Sequence, residues 1–353
     1  MLLLISIPLA QNTSRPQNDS PNDVLPMVTS TTPAPNCLFE PLYDAVILKA
    51  LDLMFRMNYS ASDSLLQTMP DVPARAYFQG LVGLNRFNDL GDTSALYLAQ
   101  ALWIKLDAST FNPSKKPEQV FLNDPSESLD LYQGLSELQL SYVAGLTGHP
   151  IKAATLGRKA ISRLERHSEN AEAKAAIALY RYYKAALVKK VDWVPFVHAD
   201  LSTPFQSLER SIPQSHYLQE ILQTSLLWLY YDQGRLDLGL TLIARFLSRY
   251  PQNRLYRQIQ ADFEFRKGDF SKALNHQVEL NLEYEKMLQA DSNGKYLPLG
   301  YLSSVGNLAK VYHSLNQTDL LQKQLRIWHE ARYTKFMVWI PSSLKSEVAG
   351  LKK

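Results

Sequence analysis

The histidines, a few aspartates and one cysteine are the side chains of this chain that could do chemistry. None of the seven histidines among the 353 residues has another histidine four residues away, the spacing that aims two imidazoles at one zinc ion from a helix. His198 and Asp200 could be interpreted as a dyad, but residues two apart on a helix do not face one another. No HExxH, P-loop or GxSxG motif occurs, and the lone Cys37 can form neither an intrachain disulfide nor a thiolate zinc site. We therefore expect no catalytic centre, no metal site and no cofactor.

The composition is that of a globular protein, with 46% hydrophobic residues, 20% charged residues and a net charge of +3. This charge is too small to imply a nucleic-acid or membrane partner by itself. No apolar run reaches the ~20 residues of a transmembrane helix, so we expect no transmembrane segment.

The amino-terminal region has two parts. Residues 1–10, MLLLISIPLA, resemble the apolar core of a secretory signal, although the basic segment that normally precedes it is missing. The run is therefore either a truncated signal or no signal at all. Residues 11–36 are polar and predict a disordered linker, because they cannot bury enough apolar surface to fold. We expect an exported, periplasmic or envelope-associated protein, with a cytoplasmic protein as the alternative.

From Leu38 onward the apolar residues recur with helical spacing, and no strand-like alternation stands out. Longer connections are predicted near 107–123, 191–212 and 290–295. Residues 191–196 are unusually apolar for a loop, which predicts either a plug under the fold or a ligand-facing lip. Helices are predicted near 38–59, 73–90, 93–106, 125–147, 150–167, 170–190, 214–232, 235–249, 254–267, 270–289, 296–315 and 318–331.

Two stretches, 220–253 and 254–287, align with each other when one is shifted by 34 residues. Gly234 and Gly239 of the first stretch coincide with Gly268 and Ala273 of the second. A repeat of this length is typical of helix–turn–helix arrays. Weaker copies lie at 134–167 and 302–331.

The residues Leu226, Tyr230, Gly234, Leu236 and Gly239, followed by Pro251, resemble the tetratricopeptide repeat pattern. The resemblance implies an all-α, right-handed superhelical array (an α-solenoid) of antiparallel helix pairs over residues 37–340, with a carboxy-terminal tail at 341–353. A small residue such as Gly239 would let the two helices of a pair approach closely.

In proteins of this family, the first helix of each pair lines a concave face that binds extended peptides. If the resemblance holds, these inward positions are Gln139, Tyr142, Thr224, Trp228, Tyr231, Asp232, Asp262, Arg266, Asn307, Lys310 and His313. Trp228 and Tyr231 could form a binding groove or could simply pack between repeats. Some members grip a terminal carboxylate with several Lys, Arg and Asn side chains. Here only Asn307 and Lys310 form such a neighbouring pair, so we do not predict that clamp.

Our leading interpretation is a non-catalytic scaffold that binds a protein or peptide on this concave face. The alternative is an intracellular RNA- or polyanion-binding array that uses residues 151–190, where ten Lys and Arg side chains outnumber three Glu side chains. That stretch could equally be a solvated outer face, neutralised by the acidic residues just upstream, so we do not expect nucleic acid as the partner. A third possibility, a hydrolase site assembled across repeats, would need a pocket with a strongly shifted acid or base.

Overall fold

The computed structural model describes residues 41–108, 125–189, 200–290, 299–331, 340 and 342–351. These ranges contain helices and no strand. The signal-like run, the polar linker, Cys37, His198 and the apolar segment 191–196 lie outside the described residues. The helices are α1 Pro41–Phe55, α2 Tyr59–Gln67, α3 Pro73–Leu90, α4 Thr93–Asp107, α5 Pro125–Leu146, α6 Pro150–Leu164, α7 Ala171–Lys189, α8 Ser202–Ser211, α9 Gln219–Gln233, α10 Leu236–Arg249, α11 Arg254–Lys267, α12 Phe270–Ala290, α13 Leu299–Ser314, α14 Thr318–Ala331 and α15 Ser342–Gly350.

Consecutive helices pack as pairs: α1 packs on α2, α3 packs on α4, and the series continues to α13 and α14. The turns inside six of these pairs share one backbone feature, a residue with positive φ one or two positions after the end of the first helix. Apart from Met57 (φ 61°), these residues are Gly91 (φ 68°), Gly148 (φ 78°), Gly234 (φ 75°), Gly268 (φ 90°) and Asn316 (φ 55°). The left-handed conformation closes a helix and reverses the chain, and glycine adopts it without strain.

The hydrogen bonds of these turns are also shared. The N–H of Arg235 donates to the carbonyl of Tyr230, and the N–H of Asp269 donates to the carbonyl of Glu264. The same six-to-one bond follows Met57, Gly148 and Asn316, which is the Schellman helix end. The prediction of an all-α solenoid of antiparallel helix pairs is confirmed, and the chain is a divergent, tetratricopeptide-like helical repeat.

Three helices lie where none was predicted. The helix predicted at 38–59 ends at Phe55, and a separate helix, α2, begins at Tyr59, because the Asn58 side chain accepts from the N–H of Ala61. The 191–212 loop contains α8, which packs on α7 and buries Phe205 and Leu208. The expected carboxy-terminal tail contains α15, which packs on α13.

The role of Gly239 also differs from the prediction. The nearest atoms that an added Cβ would meet belong to the ring of Phe263, the closest at 1.9 Å. Phe263 lies on α11, the first helix of the next pair. The close approach at Gly239 is therefore between pairs and not within its own pair.

Helix α3 is the central helix of the molecule. Thirteen of its eighteen residues are buried, which is typical of a helix enclosed on nearly all sides. It packs on α2, α4 and α5, and it also contacts α13 at the far end of the chain. The amino-terminal helices therefore fold back against the later pairs, and this determines which part of the inner face stays open.

Candidate functional site

The amino-terminal ends of α9 and α11 are covered by helix α1. At one end of α1, Asp44 pairs with His216, just before α9, at 2.7 Å. At its other end, the carbonyl of Phe55 accepts from the side chain of Asn253 at 2.7 Å. The Phe55 ring also stacks on Tyr256 of α11, with 6.1 Å between centroids. This part of the inner face is closed by the chain itself.

An ion cluster fastens α3 to the same place. Arg254, the first residue of α11, donates to both carboxylate oxygens of Asp89 on α3 and, at 2.9 Å, to Glu283 on α12. The Tyr59 hydroxyl also donates to Asp89, whose side chain is fully buried. Burial alone would lower the pKa of Arg254, but the hydrogen bond and charge of Asp89 raise it well above the usual value. Arg254 therefore stays charged in the fold.

Four of the eleven predicted inward residues are buried. Gln139 and Thr224 are almost fully enclosed, and Tyr142 and Asn307 expose less than a tenth of their surface. The Thr224 hydroxyl lies 3.0 Å from the hydroxyl of Tyr256, whose ring stacks on Phe55 of α1, and the Asn307 amide donates to Asp262 at 3.1 Å. In this conformation these four side chains stabilise the interior and are closed to a ligand, because folded-back helices and neighbouring repeats cover them.

The other seven positions keep contact with solvent. Arg266 and His313 are exposed, and Trp228, Tyr231, Asp232, Asp262 and Lys310 are half-buried. We refer to Trp228, Tyr231, Asp262, Arg266 and Lys310 as the inner patch. They lie on α9, α11 and α13, so that three successive pairs contribute to one surface.

The aromatic members of the inner patch pack on one another while remaining partly open. The rings of Trp228 and Tyr231 meet edge to face at 5.8 Å, and Tyr231 meets Phe263 at 5.2 Å. The Arg266 guanidinium lies 4.4 Å from the Tyr231 ring centroid. The buried indole N–H of Trp228 has no hydrogen-bond partner among the described residues. Trp228 and Tyr231 therefore pack on neighbouring rings and at the same time keep part of their surface open to solvent.

The charges of the inner patch are coupled to one another. Asp262 accepts hydrogen bonds from Gln258 at 3.2 Å and from Asn307 at 3.1 Å. Burial raises the pKa of Asp262 to about 7, against the opposing charge of Lys310. Lys310 also lies 5.0 Å from the Phe265 ring centroid and pairs with Glu347 of α15 at 2.6 Å. Sequence reasoning missed Glu347, although the spacing of Ile340, Leu344 and Val348 could have revealed α15.

The basic stretch 151–190 is partly neutralised within the fold. Arg163 pairs with Asp130 at 2.8 Å and with Glu137 at 3.0 Å, and Lys159 also pairs with Glu137, at 2.9 Å. On the outside, Arg181 pairs with Glu165 at 2.8 Å. Asp130 and Glu137 thus neutralise basic side chains of this stretch, as the sequence suggested for the acidic residues upstream. The others lie beyond the residues whose side chains the structure describes.

A shallow cleft of about 280 Å³ lies between α7 and α8. Lys174 and Arg210 line it together with hydroxyl and amide side chains. Lys174 already pairs with Glu169 at 3.3 Å. This cleft is separate from the predicted inward positions.

Asp200 of the suggested dyad has a structural role. It accepts from the backbone N–H groups of Ser202 and Thr203 at the start of α8. Hydrogen bonds from Thr203 and Ser202 lower the pKa of Asp200 to about 2, so it stays ionised as a helix cap. In the described ranges, no cluster of His, Cys, Asp and Glu could hold a metal ion. No described helix is long and apolar enough to cross a membrane.

Comparisons with known proteins concern the fold alone. No model of a known protein family matches the chain, and no curated protein matches it. A tetratricopeptide repeat protein from Parabacteroides merdae ATCC 43184 is 12% identical, covers 88% of this chain and 99% of its own, and gives a TM-score of 0.39.

Two structures of human IFIT1 are also similar. The dimer with m7Gppp-AAAA is 14% identical, with 88% of this chain and 68% of that chain covered and a TM-score of 0.42. The dimer with PPP-AAAA is 14% identical, with 87% and 70% covered and a TM-score of 0.38. TM-scores this low carry no argument about function. The tetratricopeptide-like description therefore depends on the helix pairs and turns of this chain.

Proposed function

We propose that this protein is a non-catalytic scaffold that binds a protein segment at the inner patch. The observation that carries the proposal is the half-open pair Trp228 and Tyr231, with Arg266 over the tyrosine ring. Aromatic and arginine side chains provide most of the binding energy in many protein interfaces, because they offer a large rigid surface with a polar tip.

The proposed contact surface is smaller than the trough that the sequence suggested. Thr224 and Gln139 lie under other parts of the chain, so a long extended peptide could not follow the whole inner face. A segment of limited length, meeting α9, α11 and α13, fits the available surface. Export to the cell envelope remains a prediction from the first ten residues and is part of this proposal.

The test is a quantitative comparison of captured partners between the wild-type chain and a Trp228→Ala/Tyr231→Ala variant. We expect the variant to lose its specific partners while keeping its helical content by circular dichroism. Tyr97→Ala is a matched control, because Tyr97 is an exposed aromatic residue of α4, outside the inner patch. Identical partner lists for all three proteins would contradict the proposal.

Trp228→Phe separates the two contributions of the indole. This variant keeps an aromatic ring and removes the N–H donor. We expect Trp228→Phe to keep most of the wild-type affinity, because the indole N–H is buried in the free protein and the aromatic ring supplies the contact with the partner.

The same proteins distinguish the polyanion alternative. Binding of single-stranded RNA that weakens steeply with salt, and that depends on Lys174 and Arg210 in the cleft between α7 and α8 rather than on Trp228, would favour a polyanion-binding array. We expect no such binding, because Arg163, Lys159 and Arg181 are already paired within the fold.

A further inference from the structure

Helix α15 already lies beside the inner patch, and its contacts show what this surface accepts. Leu344 and Val348 are buried four residues apart on α15 and form an apolar stripe against the preceding helices, and Ile340, just before α15, is buried as well. An added Cβ at Gly306 of α13 would lie 2.7 Å from the ring of Trp328 on α14 and 3.2 Å from a methyl carbon of Leu344. The missing side chain at Gly306 thus leaves space for both Trp328 and Leu344.

A carboxylate of α15 meets the cation of the patch. Glu347, which lies between Leu344 and Val348 in sequence, pairs with Lys310 at 2.6 Å. Glu347 is also close enough to Tyr231 and Asp262 to affect their electrostatic environment. The carboxylate of α15 therefore contacts α13 of the patch and acts electrostatically on Tyr231 of α9 and Asp262 of α11.

Helix α15 is weakly held compared with the other helices that pack on α13. It has nine residues, and within it only Leu344 and Val348 are buried among the side chains that the structure describes. A helix of this length is not stable in water by itself and depends on its packing. Elements with few buried apolar contacts open at low free energy. A partner helix that supplied the same contacts and more could therefore replace it.

We propose that the inner patch takes a partner's amphipathic helix carrying an apolar residue at position i, a carboxylate at i+3 and an apolar residue at i+4. In α15 these positions are Leu344, Glu347 and Val348. The segment α15 occupies the α13 side of this surface, beside Gly306 and Lys310, and must move before the partner helix binds there. This inference rests on the proposed function, since it names the partner class of the same surface.

The test adds the sequence of α15 to the full-length protein as a separate peptide. The probe is a fluorescein-labelled peptide with the sequence of residues 340–351, measured by fluorescence anisotropy. In the receptor, Val348→Asp loosens the internal helix without touching the patch. We expect the peptide to bind this variant at least about tenfold more tightly than the wild type, because apparent affinity scales with the fraction of open sites.

A charge exchange shows whether binding uses the same contacts. With Lys310→Glu added to the Val348→Asp receptor, the original peptide should lose most of its affinity. A peptide carrying Glu347→Lys should regain affinity for that receptor and lose it for the Val348→Asp receptor alone. Nonspecific binding of an apolar peptide would not depend on which of the two molecules carries the positive charge.

A second variant keeps the test valid if Val348→Asp fails to fold. Glu347→Lys in the full-length protein changes a half-exposed side chain and removes the ion pair with Lys310. The amide hydrogens of α15 should then exchange faster than in the wild type, whereas those of α13 should exchange at the wild-type rate. The inference is overturned if the peptide binds wild type and loosened receptors equally or not at all, with α15 as protected as α13. Helix α15 would then be a permanent cap. Partner capture that still depends on Trp228 and Tyr231 would leave the proposed function standing in that case.

Discussion

Helices α9 and α11 each pass through two different environments, and the difference between them explains the molecule. At their amino-terminal ends, Thr224 and Tyr256 lie under α1, beside the buried pair of Asp89 and Arg254. About two to three turns later, Tyr231 is half-buried and Arg266 is exposed to solvent. The repeat pattern is the same in both halves, so it cannot distinguish them. What separates them is the chain's own amino-terminal region, which covers one half and leaves the other open.

The largest expected effect on stability comes from removing Arg254, which joins α11 to Asp89 of α3 in the covered half. Arg254→Ala leaves Asp89 buried without its cation, and we expect the free energy of unfolding to fall by about 3–5 kcal/mol. Urea unfolding measures this change. Arg257→Ala is the control, since Arg257 pairs with Glu279 and Glu283 but not with α3, and it should cost about 1 kcal/mol or less. Equal losses in the two variants would mean that the closure onto α3 contributes little.

The contact between pairs gives the next largest effect. Gly239→Ala would place a methyl carbon 1.9 Å from a ring carbon of Phe263, far closer than a van der Waals contact. The Phe263 ring in turn packs against Tyr231 of the inner patch. We expect a loss of about 1–3 kcal/mol in thermal or urea unfolding, because the packed ring must move. Gly145→Ala is matched to it, because its nearest neighbour would be an ordinary contact at 3.9 Å. That control should be neutral or gain up to about 1 kcal/mol; a comparable loss there would show that the helix tolerates no methyl at either site.

The open half should show its own pH dependence through Asp262. Its pKa is raised by burial from the usual 3.8 to about 7 in the folded protein, so between these values the folded state binds more protons than the unfolded state. Stability from this group is therefore lost as pH rises towards neutrality. Urea midpoints from pH 5 to pH 8 should fall less for Asp262→Asn than for the wild type. Parallel curves would show that Asp262 ionises normally.

The smallest effect should come from the outer surface. Arg181 and Glu165 pair at 2.8 Å with more than half and about half of their side chains exposed. Such pairs contribute between about 0.2 and 1 kcal/mol, so Arg181→Ala should change the free energy of unfolding by no more than that. A loss as large as that of Arg254→Ala would indicate an additional contact of Arg181.

The sequence was sufficient for most helix pairs and for their turns. Gly148, Gly234, Gly268 and Asn316 all have the left-handed conformation that their recurrence implied, because that conformation depends on local chemistry alone. Helices α2, α8 and α15 were missed because they are short and depend on caps or packing. The signals were present in Asn58, in Asp200 with Phe205 and Leu208, and in the Leu344 to Val348 spacing.

The division of the inner face could not be predicted from the repeat. It depends on contacts between residues such as Asp89 and Arg254, which are 165 positions apart. Their meeting requires the accumulated turn of several helix pairs, and small errors at each pair add up along the chain. The same reason explains why Thr224 and Gln139 were expected on an open surface and are enclosed.

The most direct measurement compares thiol labelling at the two halves of the inner face. In a Cys37→Ser background, single cysteines are introduced by Thr224→Cys under α1 and by Arg266→Cys in the inner patch. We expect the second site to react with a maleimide reagent at least about a hundred times faster, because the first becomes accessible only when α1 opens. Similar fast rates at both sites would show an inner face open along its whole length and would contradict this account.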